Sequence, residues 1–378
     1  MRDGRLYEIV RLHLVLGRSQ AEVARELGTN QTEISRALQY ARSNKLISLR
    51  SNGMVDLNVV APAASDHTRL TELFPSLRAV RIAPASSTAV EALDELGYAA
   101  ARYLVERAGR SRIGIACGNT CRAVARALAT RFETGELPQG CEVLPLNAVR
   151  EDCLAERSNY DPKSGSIVAS TIHPTTIVGT MLSALPGSAG TTFVLNDETD
   201  PAVRDRLKGL VKLDHYVLGI GDIDFGGRKR TAARDCRSHE FNALMWAVLG
   251  VDVGSALRGA AGQCLYQPFN ANGESMFDQQ VQKAMDSDRE SLAKLRDCAA
   301  FLPIEKLVEV AKGPADVIAV AGGLHKLDAI KTALEQGMAN VLVTDPITAA
   351  ALIQSKEEMS ALVEDTHSAD MVAPTAGV

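Results

Sequence analysis

Aromatic residues are scarce in this 378-residue chain: phenylalanine, tryptophan and tyrosine make up 4% of it, and there is a single tryptophan. Apolar residues nevertheless reach 46%, so alanine, valine, isoleucine and leucine must fill the interior. Buried β-branched strands and alanine-rich helices are typical of α/β proteins. The length suits two or three domains rather than one.

Cysteine motifs and membrane segments are also missing. The seven cysteines include no CxxC pair, and the closest two, Cys117 and Cys121, have no histidine beside them. A disulfide framework and a zinc site are therefore not predicted, and we expect reduced, mostly buried thiols. The N-terminal stretch MRDGRLYEIVRLHL is charged throughout, unlike a signal peptide, and no apolar run is long enough to span a membrane. The expected location is the cytoplasm.

Motifs for nucleotide binding and catalysis are absent as well. The sequence contains neither GxGxxG nor GxxxxGK[ST], the glycine-rich patterns that cradle nucleotide phosphates. His173 is interpreted as a loop residue and His325 as a bystander, because no nucleophile, base and orienting group stand together around them. The sequence predicts no catalytic residue, no metal site and no cofactor.

The charge of the chain is divided unevenly. The formal net charge of the whole chain is −5, which by itself argues against a nucleic-acid partner. Residues 1–50, however, hold nine basic and five acidic side chains, a net charge of +4, while the remainder carries −9. Residues 1–50 thus form a small basic segment, the head, and the remainder forms a large acidic one, the body. This division indicates that only the head binds a polyanion.

The basic head has the pattern of a helix-turn-helix. A first helical pattern over residues 6–15 is followed by Ser19 and Glu22, which can form a capping box for a second helix. That helix should stop at Gly28, and Asn30 should cap a third helix containing the letters ISRALQYA. Three helices joined by a short glycine turn predict a helix-turn-helix, and LISLRSNG after it reads as a wing-like strand and turn.

The third helix has an apolar face and a polar face. Ile34, Ala37 and Leu38 would dock it on its own domain, and the opposite face carries short amides, hydroxyls and a guanidinium that can pair with base edges in the major groove. The residues predicted to contact DNA are Asn30, Gln31, Thr32, Ser35, Arg36 and Arg42. The alternative is a solvated helix face. Glu33 opposes contact with phosphate, unless it serves as a cap or accepts from a cytosine amine.

Strand and helix patterns alternate along the rest of the chain, which predicts a mostly parallel sheet covered on both faces. The fold class is therefore α/β: an N-terminal all-α helix-turn-helix domain and a large Rossmann-like α/β domain. The expected divisions are a DNA-binding domain over 1–55, a linker over 56–68, the α/β domain over 69–357 and a flexible tail over 358–378. Strands are predicted at 79–83, 112–116, 142–146, 191–195, 214–221, 316–320 and 340–344, with helices at 88–108, 120–133, 201–210, 239–249, 325–337 and 346–354.

Three predicted strand ends carry glycines and polar groups, and ligands of parallel sheets bind beyond such ends. One has Gly118, Asn119 and Thr120, and a second has Gly219, Gly221 and Asp222. The third has Gly322, Gly323 and Lys326, where free N–H groups and a lysine can hold phosphate. The alternative at each end is ordinary turn chemistry.

These residues resemble the SorC family of sugar-binding bacterial transcriptional regulators. The resemblance covers nearly the whole chain: the helix that begins at Gln20 and the ISRAL helix that follows its turn, then IACGNTCRAVA, GIG and GAAGQCLYQPFNANG. It is strongest at VIAVAGGLHKLDAIKTALEQGMANVLVTDPITAAALI, residues 317–353. The family's C-terminal domain is similar in fold to glucosamine-6-phosphate deaminase and ribose-5-phosphate isomerase. Its members bind sugar phosphates or other sugars, are commonly tetramers and recognise palindromic operators.

The resemblance implies a site and also marks departures from the family pattern. The effector loop would be 118–120, and Lys326 with the 322–323 turn would hold a phosphate. Gln263 stands where relatives often carry an acidic residue towards the sugar hydroxyls, and 146–149 (LNAV) replaces a glycine-rich turn. The implied effector residues are Gly118, Asn119, Thr120, Asp222, Gln263, Gly322, Gly323 and Lys326.

The expected function is that of a non-enzymatic, DNA-binding regulator of a carbohydrate or polyol catabolic operon. Its partners would be operator DNA, a small sugar or sugar-phosphate effector and further copies of itself as a dimer or tetramer, with no membrane. Two alternatives stay open. One is a sugar-phosphate isomerase or deaminase, for which Asp222 is the nearest candidate base. The other is a regulator that has lost its effector site.

Overall fold

The computed structural model describes most of the chain outside two central segments and the ends. The described residues are 9, 12–13, 18–43, 47–49, 55–57, 64–84, 86, 88–133, 135–149, 174–193, 195, 200–223, 257–284 and 289–370. No described helix combines the length and the apolarity that crossing a bilayer requires.

Two helices and a β-hairpin make up the described part of the head. Helix α1 spans Gln20–Glu26 and α2 spans Gln31–Ser43, and strands β1, Ile47–Leu49, and β2, Val55–Leu57, pair antiparallel. The predicted capping box of α1 is confirmed: Ser19 accepts from the Glu22 N–H, and the Glu22 side chain accepts from the Ser19 N–H. The predicted helix over 6–15 lies mostly outside the described residues.

The turn between α1 and α2 depends on Gly28. Its φ of +60° is the left-handed conformation that ends helices and that glycine adopts without strain. Val23 on α1 and Ile34, Ala37 and Leu38 on α2 are at most 2% exposed, so the predicted apolar face of the third helix is buried. The polar face of α2 is left to solvent.

The body is built on a large, mostly parallel sheet, which confirms the predicted α/β class. Its parallel part has the strand order β3-β13-β12-β8-β4-β5-β7. From the central strand β4 the chain continues through β5 to β7 at one edge of the sheet. It then returns to β8, on the other side of β4, and continues through β12 to β13, which lies next to the edge strand β3. The strands are β3 Ala79–Ile82, β4 Arg112–Ile115, β5 Glu142–Pro145, β7 Ala189–Gly190, β8 His215–Gly221, β12 Asp316–Val320 and β13 Val341–Thr344.

Helices pack against this sheet and bury its apolar side chains in one continuous core. They are α3 Ala64–Leu73, α4 Ala89–Arg107, α5 Asn119–Thr130, α6 Pro174–Ala184, α7 Asp200–Lys208, α8 Gln279–Ala284, α9 Arg289–Asp297, α10 Ile304–Lys312, α11 Leu327–Glu335 and α12 Pro346–Asp370. A 3₁₀ turn, Leu324–Lys326, precedes α11. The predicted helix at 239–249 lies outside the described residues.

The predicted strand at 191–195 is wrong in position. The strand at this edge of the sheet is only the two residues Ala189–Gly190, and the ladder continues for one further bond, from the Thr191 N–H to the Val143 carbonyl. Phe193 and Leu195 are buried all the same, at 6% and 2% exposure. Residues 191–193 therefore lie outside any strand, although the run adds Phe193 to the core and Leu195 makes a β-bridge.

Three antiparallel pairings were not apparent from the sequence. Strand β9, Ala260–Cys264, runs antiparallel to the end of β8 and forms a hairpin with β10, Gln267–Asn270. Strand β6, Asn147–Val149, pairs with β11, Ala299–Phe301. The hairpin matters most, because it places residues 263–266 over the carboxyl end of the central strand.

Two helices extend into segments expected to be irregular. Helix α3 begins at Ala64, inside the predicted linker, because Leu70 and the following Phe74 are buried in the core. Helix α12 continues to Asp370, past the predicted start of the tail at 358. The two helices pack together, and Arg69 of α3 pairs with Glu357 of α12 at 2.8 Å.

Among the residues that the structure describes, one cysteine departs from the expected reduced state. Cys117, Cys121, Cys141 and Cys264 are free thiols, and all but Cys117 are buried. Cys298, however, is disulfide-bonded. The expectation of reduced thiols therefore fails at that position, since sequence spacing alone does not show which distant residues the fold brings together.

Helices α4 and α5 approach each other so closely that one contact requires glycine. A Cβ atom at Gly97 would lie 2.6–2.7 Å from the backbone and Cβ of Ala123. Gly97→Ala should destabilise the fold by about 1–3 kcal/mol, because the helices must move apart. Gly179→Ala is the matched control: this glycine is also helical, and a Cβ there meets nothing within 4 Å.

The control substitution should stabilise by up to about 1 kcal/mol, since alanine is the better helix former. Urea unfolding of the two variants measures both effects. A Gly97→Ala variant as stable as the unmodified protein would contradict the close packing.

Candidate functional site

A cleft opens at the carboxyl ends of β4 and β8, the point from which the chain winds outward in both directions. This is where ligands of open parallel sheets bind. Six of the eight residues predicted for the ligand site line it together: Gly118, Asn119, Thr120, Asp222, Gln263 and Lys326. No group of three or more metal-ligating side chains occurs among the described residues.

The loop after β4 presents a helix N-terminus to the cleft. Gly118 is the N-cap of α5, with φ +107° and no side-chain cap bond, and a Cβ there would meet nothing within 4 Å. Asn119 and Thr120 begin the 12-residue helix. The positive end of the helix dipole and its first N–H groups favour an anion at this point. Gly219, across the cleft, lies next to the Thr120 side chain.

Lys326 reaches the cleft from the 3₁₀ turn after β12. The preceding Gly322 and Gly323 are not among the lining residues. The Gly323 N–H donates to Asp345 Oδ2 and to Thr348 Oγ1, both at 2.7 Å. The backbone of this glycine turn is therefore engaged with the start of α12, and the lysine is the part that faces the cleft.

Asp222 lies at the end of β8, between the strands that precede Lys326 and Gly118, and Gln263 lies on β9, which pairs with the end of β8. Gly221 pairs with Gln263 in the antiparallel register. A Cβ atom at Gly221 would collide with the Gln263 side-chain amide, so the glycine lets that amide lie across the strand end. Carboxylate and amide groups here can accept and donate hydrogen bonds to hydroxyl groups.

Sequence reasoning missed six residues of the lining: Leu93, Ala116, Cys117, Ile220, Leu265 and Tyr266. Leu265 and Tyr266 form the turn of the β9–β10 hairpin, which has no Asn-Gly or similar signal in the sequence. The sequence signal that could have pointed to these two residues is the family-like segment GAAGQCLYQPFNANG, which contains both.

The thiols beside the cleft are held in their neutral form. Burial raises the pKa of Cys264 to about 12, and the nearby Cys117 adds to the effect. Burial also raises the pKa of Cys121 well above its ordinary value. Cys117 is anchored by the fully buried Asn147, whose Oδ1 accepts from the Cys117 N–H at 3.0 Å and whose Nδ2 donates to Cys117 Sγ at 2.7 Å. Asn147, in the LNAV segment that replaces the family's glycine-rich turn, thus ties down the loop after β4.

Comparison with known proteins adds sequence and fold relatives. Residues 306–354 match the protein-family model described as "Putative sugar-binding domain". The chain is 25% identical over 339 residues to the transcriptional regulator LsrR of Enterobacter sp. (strain 638), covering 89% of this chain and 88% of that one. It is 24% identical over 355 residues to the erythritol catabolism regulatory protein EryD of Brucella abortus (strain 2308), covering 90% and 94%.

The resemblance to the SorC family is therefore confirmed. A crystal structure of a transcriptional regulator from Streptococcus pneumoniae TIGR4 has a TM-score of 0.51 and 16% identity, covering 77% of this chain and 96% of that one, which shows a shared fold. The family-model match contains Lys326, Gly322, Gly323 and Asp345. The best-supported segment of SorC-like sequence thus carries the lysine side of the cleft and the residue that anchors its turn.

The polar face of α2 is where the sequence predicted DNA contacts. Asn30, Gln31, Thr32, Ser35 and Arg36 are all exposed, while the side chain of Arg42 lies outside the described residues. Two further contacts explain Glu33. The Asn30 Oδ1 accepts from the Glu33 N–H at 2.9 Å and caps the helix, and the Glu33 carboxylate accepts from the Thr29 hydroxyl. Glu33 is therefore engaged with its own turn.

Asp345 is the anchor of the turn that carries Lys326. Its Oδ1 accepts from the Thr348 N–H at 2.8 Å, capping α12, and its Oδ2 accepts from the Gly323 N–H and the Thr348 hydroxyl. Asp345→Ala should destabilise the protein by about 2–4 kcal/mol, because it removes a helix cap and leaves a Gly323 N–H without this acceptor.

The matched control for this substitution is Asp328→Ala, in the exposed first turn of α11, which should cost less than about 1 kcal/mol. Chemical denaturation of both variants gives the comparison. If the two variants were equally stable, the hydrogen bonds of Asp345 would contribute no more to the stability of the fold than an exposed carboxylate does.

Proposed function

We propose that this protein is a DNA-binding transcriptional regulator of a carbohydrate or polyol catabolic operon, controlled by a sugar or sugar phosphate that binds in the cleft. It would act in the cytoplasm without catalysing a reaction. The observation that carries the proposal is the composition of the cleft. It joins an anion-favouring end, formed by Lys326 and the N-terminus of α5, with the hydroxyl-pairing groups Asp222 and Gln263.

The named functions of the relatives agree with this cleft. LsrR is a transcriptional regulator, and EryD regulates erythritol catabolism. Both align along about nine-tenths of this chain. A polyol or sugar derivative is therefore the class of ligand that we assign to the cleft.

The head supplies the DNA half of the proposal. We interpret α1, the Gly28 turn and α2 as a helix-turn-helix, with the β1–β2 hairpin as its wing. The exposed face of α2 places amides, hydroxyls and Arg36 together on the side opposite the buried Ile34. These groups match the donors and acceptors of base edges in the major groove.

The mechanism that we propose is linkage between the two sites. A ligand that prefers one arrangement of the subunits changes the spacing of their recognition helices, and so changes operator affinity, by roughly 1–3 kcal/mol of coupling. Two such helices must lie about one turn of DNA apart, or a multiple of it, to bind together. The proposed assembly is a dimer or tetramer.

The test uses the full-length protein and the DNA upstream of its own gene. Fluorescence anisotropy at about 150 mM salt compares that DNA with a scrambled duplex of equal length, with and without erythritol, sorbitol, erythritol 4-phosphate, ribose 5-phosphate, fructose 6-phosphate and glucosamine 6-phosphate. The expected result is about 10³-fold tighter binding to one upstream segment. One compound should change that affinity by roughly 5- to 150-fold and raise the melting temperature.

Three other outcomes would each overturn a stated part. If no DNA fragment is preferred, the regulator assignment is wrong. If DNA binds but no compound changes the melting temperature, the protein is a regulator without a functional effector site. If a sugar phosphate is isomerised or deaminated, the protein is an enzyme, although the described lining of the cleft offers Asp222 as its carboxylate and contains no histidine.

A further inference from the structure

The turn of the β9–β10 hairpin holds two bulky residues in the left-handed conformation. Leu265 has φ +54° and Tyr266 has φ +64°, and they are the two loop residues between the paired Cys264 and Gln267. Tight hairpin turns with both central residues at positive φ favour Asn-Gly, because a Cβ atom makes this conformation costly. A leucine and a tyrosine in these places are therefore strained.

The rest of the described chain avoids this strain. Every other described position with positive φ is a glycine. Where only the backbone conformation matters, this sequence uses the residue that adopts it freely. The side chains of Leu265 and Tyr266 must therefore offset the strain, or serve a purpose that a glycine could not.

Core packing accounts for only one of the two side chains. Leu265 is 4% exposed and belongs to the continuous apolar core. Tyr266 is partly exposed, is not part of that core and lines the cleft. Strained residues that persist at a ligand cleft point to a role in binding.

We propose that Tyr266 is a specificity-determining residue, whose ring forms the wall of the cleft against which the C–H face of a carbohydrate packs. The assignment rests on the proposed function and deepens it. The lining combines the apolar surfaces of Tyr266, Leu93 and Leu265 with Lys326, Asp222 and Gln263. A sugar or sugar phosphate carries hydroxyls, C–H surface and, where phosphorylated, an anion, so it matches all of these groups, whereas inorganic phosphate matches only the anionic end.

This assignment makes stability and binding change in opposite directions when the ring is removed. Tyr266→Gly relieves the strain at φ +64°, so the melting temperature should rise. The same variant loses the wall, so the sugar derivative that binds best should bind about tenfold or more weakly. A tyrosine retained only for structure would lower the melting temperature when replaced.

The experiment measures melting temperatures and dissociation constants of the full-length protein and three variants, with inorganic phosphate and the six sugar and polyol compounds as probes. In Tyr266→Gly, the dissociation constant for inorganic phosphate should change less than about threefold. The dissociation constant for the sugar phosphate that binds best should rise about tenfold. Tyr266→Phe keeps the ring and should retain most of the affinity. Tyr266→Asn removes the ring but tolerates the left-handed conformation, so it repeats the test if the glycine variant folds poorly.

The outcomes separate this assignment from the proposed function. If the unmodified protein binds a sugar derivative and the glycine and asparagine variants bind it equally well, Tyr266 is not a specificity residue, and the effector site stands. A lower melting temperature in both variants, with unchanged ligand preference, makes Tyr266 structural and overturns the assignment. If the unmodified protein binds none of the six compounds, the effector site fails and the assignment fails with it.

Discussion

Arg36→Glu is expected to reduce operator affinity by about 100-fold or more, without unfolding the protein. Arg36 is exposed on α2, beside the residues predicted to reach base edges. Loss of an arginine contact to a base or phosphate costs about 1–3 kcal/mol, and a symmetric dimer loses it in both half-sites. The carboxylate adds repulsion from the phosphates, and the salt dependence of binding should become shallower. Anisotropy titrations at several salt concentrations measure both effects.

The control for this charge reversal is Arg289→Glu, at the exposed start of α9 in the body. It makes the same change in net charge far along the chain from the head. If both variants lose affinity to the same extent, the effect comes from overall charge, and α2 is not the recognition helix. Unchanged binding by Arg36→Glu would refute the proposed DNA contact directly.

Lys326→Met should weaken binding of a phosphorylated effector by about 10- to 100-fold. The substitution keeps an unbranched side chain of similar length and removes the ammonium group that faces the cleft. Hydrogen bonds to charged groups contribute about 1.5–3 kcal/mol, which corresponds to this range of affinity. The increase in melting temperature that the ligand produces should shrink accordingly, and isothermal titration of the best sugar phosphate gives the constant.

Lys331→Met, on the helix α11 that follows this turn, is the matched control. Lys331 Nζ donates to Ser355 Oγ at 2.9 Å, away from the cleft, so its loss should leave ligand affinity within about twofold. An unphosphorylated polyol such as erythritol, if it binds, should be affected less by Lys326→Met than its phosphate. Equal binding of the phosphate by both variants would show that Lys326 holds no anion.

Sequence patterns predicted most strands of the sheet well and the β7 edge poorly. DVIAV at 316–320 is a strand with the predicted bounds, because a fully buried central strand reads as a continuous β-branched run. The apolar run at 191–195 looks similar but lies at the edge of the sheet, where only Ala189–Gly190 completes a ladder. Burial and strand pairing are separate properties there, and composition reports only burial.

The position of the cleft was predictable where it follows parallel strands. Gly118 and Lys326 come after strands with clear patterns, and strand ends meet at one edge of a parallel sheet. Tyr266 was not predictable, because the antiparallel hairpin that carries it has a turn without the residues that normally mark one. Asp345 was missed for another reason: it lies after β13, and its bond to the Gly323 N–H depends on two distant loops meeting.

The bond between Asp345 and Gly323 also joins the turn that carries Lys326 to helix α12. Asp345 starts the 25-residue helix α12, which packs along α3 and pairs with it through Glu357 and Arg69. Helix α3 in turn begins seven residues after the β1–β2 hairpin. These contacts form a continuous path from the lysine turn through α12 to α3, so a ligand that pulled Lys326 inward would act on both helices.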